Sequence, residues 1–416
     1  MNRIVLIGNG FDLAHDLPTR YEDFIDWYWG KRALGFNGTV SNISKDDLCE
    51  FEVVHPHTWN EFAFQTSLPI ARYSGKQVIQ YLKNNPDYFK IHSTRFYENI
   101  CQSIETKGWV DIENEYYRLL TRYVISDKCD ARIEELNRQL DYITKLLAEY
   151  LLSVESTNPV HPIERICNQI YSPINTADIS IESGSVIKDC VDYWMGQEES
   201  AMRSKIQRYH YDEFNYLEEV SSYKRNHGQV SYSDYPRLFR LPEYIMLLDF
   251  NYTSTSKLYT NNDVCMNVHV HGELNHPESM IFGYGDELDN NYKALKEYDN
   301  NECLKNIKTA KYLEASDYRS LLSFMEWAPF QVIIMGHSCG NSDRTLLNTM
   351  FEHKNCVSIK PYYHQKDDGK DNYLDIIQNI SRNFTDMKLM RDRVVNKTFC
   401  EPLAQAKKTT NITETV

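Results

Sequence analysis

Several short segments of the chain combine residue types that could carry out chemistry. The most pointed is Val268-His269-Val270-His271-Gly272, where two imidazoles stand two residues apart before a glycine. Residues two apart on a strand face the same side, so His269 and His271 are expected to project together. An imidazole at a strand end suits a general base; a lone strand histidine also serves as ordinary structure. The pair could also hold a metal with Glu273 or His276, but neither completes a recognisable ligand pattern, which argues against it, and no metal is assigned. Asp249-Phe250 leads into Asn251-Tyr252-Thr253-Ser254-Thr255. The Asn251 amide can orient a ribose hydroxyl or a water, or it can cap the segment that follows.

Two glycine turns complete the set. Gly8-Asn9-Gly10-Phe11-Asp12 follows an apolar run, and small residues there let a phosphate approach backbone N–H groups at a helix start. Leu13 stands where a dinucleotide fingerprint carries its third glycine, and a tight strand-to-helix turn needs the same two glycines. Gly336-His337-Ser338-Cys339-Gly340-Asn341-Ser342-Asp343 is the second turn. Its glycines allow close approach and its polar residues can cap. It also has the Gly-x-Ser-x-Gly form of a nucleophile elbow, with Ser338 as nucleophile and His353 or His364 as the downstream histidine. In Trp109-Val110-Asp111-Ile112-Glu113-Asn114-Glu115 the acidic residues complement a helix dipole, or present a carboxylate pair.

Strand texture positions most of these residues. Apolar runs at Ile4–Ile7, Tyr244–Phe250, Met266–Val270, Met280–Phe282, Gln331–Met335 and Cys356–Ile359 read as strands. Helical stretches are expected at Tyr21–Trp29, Tyr292–Ala310, Tyr318–Met325 and Arg344–Glu352. This alternation predicts an α/β doubly wound parallel sheet. Residues 34–55 read as loop. Between Thr58 and Arg225 helical spacing dominates, as in Ile133, Leu136, Leu140, Ile143, Leu147 and Leu151, which predict a helix over Ala131–Ser153; another is expected over Ser200–Tyr223. The expected organisation is a discontinuous nucleotide-binding domain over 1–33 and 240–400, a mostly helical insertion over 56–230, and a disordered tail over 401–416.

With 416 residues, 42% of them hydrophobic and 25% charged, the chain can bury a large core. A net charge of -14 repels nucleic acid and anionic membranes. The ten cysteines are scattered without a Cys-x-x-Cys pair, which argues against a zinc ribbon and fits reduced thiols in the cytoplasm. The opening apolar run is too short for a secretory segment, and no stretch approaches the ~20 apolar residues of a membrane span.

Together, Ile7-Gly-Asn-Gly-Phe-Asp12 with His15, Leu17-Pro18-Thr19, Tyr21 and Phe24, then Asn251-Tyr-Thr253, His269-Val-His-Gly272, Phe282-Gly-Tyr-Gly285, Gly336-His-Ser338 and Asp343, resemble the AbiH family of bacteriophage abortive-infection proteins. Trp109, Asp111 and Glu113 fit that resemblance too. The order of these motifs is also similar to that of the sirtuin-like superfamily. That resemblance implies a Rossmann-like fold that binds NAD as substrate, not as prosthetic group, and cleaves its nicotinamide–ribose bond. It implies Asn251 and His271 as catalytic residues, His271 being the general base. Gly8, Asn9, Gly10, Phe11, Asp12, Thr253, His269, Gly272, Gly336, Ser338 and Asp343 would line the bound nucleotide.

The chain departs from sirtuin deacetylases in lacking their zinc module, so protein deacetylation is not expected. Thr253 replaces the usual acid two residues after the Asn, and Asp12 stands where a small hydroxyl residue is common. The expected function is therefore an antiphage effector that hydrolyses NAD. Its expected partners are NAD or a related nucleotide, a phage-derived trigger and further copies of the chain. The alternatives are a non-catalytic module that senses NAD or ADP-ribose, and a hydrolase using Ser338.

Overall fold

The computed structural model describes residues 1–34, 43–54, 75–107, 110–226, 235–260 and 263–406. Among them, strands follow in chain order as β1 (Asn2–Ile7), β2 (Ile43–Lys45), β3 (Cys49–Val53), β4 (Phe89–Ser93), β5 (Ile245–Asp249), β6 (Cys265–His269), β7 (Phe330–Met335) and β8 (Cys356–Tyr362). Five form one sheet in the order β6-β5-β1-β7-β8, with every neighbouring pair parallel. The run Ile4–Ile7 forms the centre of that sheet because both of its faces are covered, each of its four residues being 0% exposed. Its register sets Leu6 beside Leu248 and Ile7 beside Met335.

The order of connection reverses at β1. From there the chain reaches β5 and β6 on one side, and β7 and β8 on the other. The carboxyl ends of β1 and β7 therefore flank a topological switch point, the place where open parallel sheets leave a crevice for ligands.

The chain divides into two compact units, one of Met1–Leu17, Asn158–Ser279 and Tyr312 onward, the other of Pro18–Thr157 and Met280–Lys311. The first holds the parallel sheet, and its core gathers Val5, Ile7, Phe11, Ile166, Ile170, Ile245, Leu247, Ile333, Met335 and Leu403. Helices Val186–Met195, Glu199–Arg208 and Glu213–Arg225 share a further cluster with Leu238 and Phe239 in that same unit. The division thus differs from the expected insertion over 56–230: the part from Asn158 onward belongs with the sheet. Apolar periodicity reports that a helix buries one face but not which element covers it.

The second unit carries the antiparallel sheet β2-β3-β4 and the long helix Asp130–Thr157, whose Ile133, Leu136, Leu140, Ile143, Leu147 and Leu151 are all buried. Residues 43–53, expected as loop, form β2 and β3; their polar alternation is the pattern of a half-exposed sheet. The helix expected over Ser200–Tyr223 is two helices, broken where His210 takes a φ of 46°. No strand forms at Met280–Phe282. Just beyond it the Gly283 N–H donates to Glu113 Oε1 at 3.0 Å and the Tyr284 N–H to the Asn306 carbonyl at 3.1 Å, so the chain is held there by bonds other than a sheet ladder.

The tail expected to be disordered begins in order. Leu403 donates its N–H to the Tyr363 carbonyl at 2.8 Å and, with Ala404, joins the core around the parallel sheet. Residues 407–416 lie outside the described residues. No described helix is long and apolar enough to cross a membrane.

Candidate active site

The two glycine turns meet at the switch point, backbone against backbone. The Gly10 N–H donates to the Gly336 carbonyl at 2.9 Å, the Gly8 N–H to the Met335 carbonyl at 3.3 Å, and the Phe11 N–H to the Gly8 carbonyl at 2.8 Å. Gly336 has a φ of 77°, and a Cβ there would stand 2.1 Å from the Phe11 nitrogen; one on Gly10 would stand 2.8 Å from the Gly336 Cα. These glycines are needed for mutual approach of two turns. Because the N–H groups of Gly10 and Phe11 already serve protein carbonyls, this turn is not laid out as a phosphate cradle. Phe11 is 0% exposed and packs on His15 and Tyr259 in the core, so it faces away from the sheet edge, while Asn9 is exposed.

Asn251 is held at the end of β5 by its neighbours. Its side-chain amide donates to the Gly8 carbonyl at 3.1 Å, and its N–H to Asp249 Oδ1 at 2.8 Å. Two residues further, the Thr253 hydroxyl donates to Asp12 Oδ2 at 2.8 Å, both residues being buried. Burial pushes the Asp249 carboxyl well above the usual carboxylate range, and the charge of Asp12 adds to the shift; bonds from Ser256 and the Asn251 N–H oppose it. A carboxyl kept neutral in this way can donate a hydrogen bond.

The histidines take separate partners. His269, at the end of β6, places Nδ1 3.3 Å from the Asn251 carbonyl and 3.7 Å from Asp249 Oδ2, while Asn267 Nδ2 lies 3.3 Å from its Nε2. Burial lowers its pKa, so near neutrality the ring is uncharged, its Nδ1–H donating to the carbonyl. His269 thus steadies the backbone of Asn251. His271 lies beyond the strand, where Gly272 (φ 83°) turns the chain; a Cβ on that glycine would meet the Ser279 carbonyl at 2.2 Å. Its Nε2 stands 3.1 Å from Asp343 Oδ1 and 3.2 Å from the Tyr312 hydroxyl. A carboxylate only accepts, so His271 carries its proton on Nε2 and, when neutral, its lone pair on Nδ1.

Asp343 is the N-cap residue of the helix Arg344–Phe351, yet its side chain makes no cap bond. Its second oxygen, Oδ2, lies 3.7 Å from His337 Nε2. Phe250 separates the two imidazoles, its ring centroid 5.0 Å from that of His271 and 4.2 Å from that of His337. His271, His337, Asp343, Tyr312 and Phe250 are all 7% exposed or less. This is the oriented-base arrangement in which a buried carboxylate fixes an imidazole's tautomer.

Ser338 is exposed, and no imidazole among the described residues lies within hydrogen-bonding distance of its hydroxyl; only its carbonyl is engaged, by Asn379 at 2.8 Å. His353 pairs with Glu326 and His364 with Gln405, so neither completes a triad with Ser338. Buried Cys339 beside it has a φ of 54°, and burial with the charge of Asp343 holds its thiol protonated. In the second unit Asp111 caps the helix Ile112–Arg122 by accepting from the Asn114 N–H at 3.0 Å, while Glu113 pairs with buried Lys308 at 2.9 Å. Both acids therefore hold their own unit together. Trp109 lies outside the described residues.

His337, Asp249 and Tyr312 belong to the site but not to the set expected from sequence. His337 is signalled by the Gly-His-Ser turn and Asp249 by its place at a strand end; Tyr312 has no sequence signal. Comparisons with curated proteins and with solved structures yield no match. The family model described as bacteriophage abortive infection AbiH matches residues 4–364, and thus takes in both glycine turns, Asn251, the two histidines after β5 and the Asp343 carboxylate. The chain belongs to the AbiH family, and with it to the proteins of bacteriophage abortive infection.

Proposed function

We propose that the sheet unit is a Rossmann-like, sirtuin-like domain that hydrolyses NAD at the nicotinamide–ribose bond, and that abortive infection works through loss of the nucleotide. The observation that carries this reading is His271, held through Nε2 by Asp343 at 3.1 Å, beyond the end of β6 in a parallel sheet whose adjacent strand β5 leads into Asn251. Numbered along the sheet's own strands, the order is 3-2-1-4-5, that of dinucleotide-binding folds.

The chemistry asks little of the protein. Water forms a bond to the ribose C1′ as the C1′–N bond breaks, its electron pair staying on the nicotinamide nitrogen, which leaves neutral. The water's proton passes to His271 Nδ1 and then to solvent. Asn251 orients the ribose hydroxyl or the water. Gly8, Gly10 and Gly336 contribute close approach in this reading and not hydrogen-bond donors, their N–H groups being engaged as described.

The purified chain is expected to release nicotinamide and ADP-ribose from NAD, followed by chromatography. Asn251→Ala and His271→Ala should each lower that release by about 10²-fold or more, while Ser338→Ala leaves it within a few-fold. Unchanged turnover in both of the first variants would sink the reading. Tight NAD binding in calorimetry without product would replace it with a sensing module.

A further inference from the structure

Asp343 is placed between two imidazoles, and only one of them has a part in the reaction proposed above. His337 reaches the carboxylate from the far side, Nε2 to Oδ2 at 3.7 Å, while His271 takes Oδ1 at 3.1 Å. The tautomer of His337 is fixed. Its Nδ1 accepts from the Cys339 N–H at 3.0 Å, so a neutral ring carries its proton on Nε2, toward Asp343. That N–H is held in place by Cys339, which is 0% exposed with a φ of 54°. The His337 ring is 6% exposed and packs on Phe250, the same ring that packs on His271. The Cys339 bond thus turns the ring so that its Nε2–H faces, at ion-pair distance, the carboxylate that holds the base.

We infer that His337 is a positioning residue for His271, acting through the carboxylate they share; this rests on the reading of His271 as general base. Asp343 attracts the imidazolium form of His271 and so holds its proton on. His337 draws on the same charge from the other oxygen and thereby weakens that hold, whether its own ring is neutral or protonated. The result is a His271 that stays unprotonated to lower pH, where a base must be, with Asp343 fixed from both sides. The other groups facing the pair are the Tyr312 hydroxyl, 3.2 Å from His271 Nε2, the Ser342 hydroxyl, 3.5 Å from Asp343 Oδ2, and the protonated thiol of Cys339. None of these three is itself altered by a substitution at His337, although the Cys339 N–H then loses the ring nitrogen it donates to.

Removing the donor has a definite sign. In His337→Leu the His271 ring should titrate about one pH unit higher, and the acidic limb of the activity profile should move up by the same amount. His337→Gln, whose amide offers an N–H at nearly the same reach, should restore both toward the natural values. His337→Phe is a second donor-free variant that fills the ring's volume against Phe250 if the leucine variant does not fold.

The test is NMR titration of ring-labelled histidine in the full chain, with the His271 resonance identified by its loss in His271→Gln, alongside the pH profile of nicotinamide release. An upward shift in the donor-free variants, reversed by glutamine, supports the inference. A His271 midpoint that is unmoved or lowered in the donor-free variants overturns it, whatever the activity. If the midpoint moves up but the natural protein releases no nicotinamide, the NAD reading fails and the shared carboxylate stands.

Discussion

At the residue scale the site depends on carboxyl groups that differ in state. Asp343 works as a charged acceptor, so Asp343→Asn should leave the fold intact and lower nicotinamide release by about 10²-fold or more, with ADP-ribose binding in calorimetry changed by only a few-fold. Asp249 is the opposite case, its carboxyl held above the usual range by burial. A raised acid binds its proton more tightly in the folded state, so its contribution to stability is present below the ordinary carboxylate range and is lost as pH rises through its folded value. Urea unfolding of Asp249→Asn should therefore gain on the natural protein as pH increases, and a gap that is constant or closes with rising pH would refute this. Thr253→Val leaves Asp12 without its hydroxyl donor and should cost about 1–3 kcal/mol in the same measurement. The sequence marked Asn251 and His271 because an amide and an imidazole stood at strand ends, whereas Asp343 read as a helix-start acid and joined the site only through the family resemblance. It did not show that His269 and His271 part company, since strand alternation applies only while the strand lasts, and β6 ends at His269. Nor could it show Tyr312, which reaches His271 from 41 residues away.

At the scale of elements, the parallel strands were legible because burial on both faces leaves continuous aliphatic runs, as in Ile4–Ile7 and Val332–Met335. The short strands β2 and β3 were not, because a half-exposed antiparallel ribbon such as Ile43–Lys45 carries little more than polar alternation among turn-forming residues. The glycine turns were legible as turns, but their purpose was not. A phosphate cradle and a contact between two turns call for the same residues, and only the destinations of the N–H groups distinguish them. This gives a direct expectation. Gly336→Ala must place a methyl 2.1 Å from the Phe11 nitrogen at a positive φ, and should cost at least about 2 kcal/mol. A thermal or urea midpoint within error of the natural protein would show that the two turns are not tightly joined. In the second unit, Glu113→Ala strands the buried Lys308 ammonium; a loss of about 3–5 kcal/mol is expected there, against a much smaller one for Asp111→Ala at its exposed cap.

At the scale of the whole molecule, alternation of strand and helix was enough to read a parallel α/β sheet, and the family motifs were enough to read AbiH. The division into units was harder to see, because helices on either side of Asn158 have the same amphipathic texture but different cores. The central strand has a further consequence. β1 precedes both of its sheet neighbours by hundreds of residues, β5 beginning at Ile245 and β7 at Phe330. At ~5–20 residues added per second, the strand and its glycine turn wait on the order of tens of seconds for the Gly336 turn that locks them. Until residue 343 follows, His271 has no carboxylate. A chain whose synthesis stops before residue 343 therefore lacks the carboxylate that holds the His271 ring.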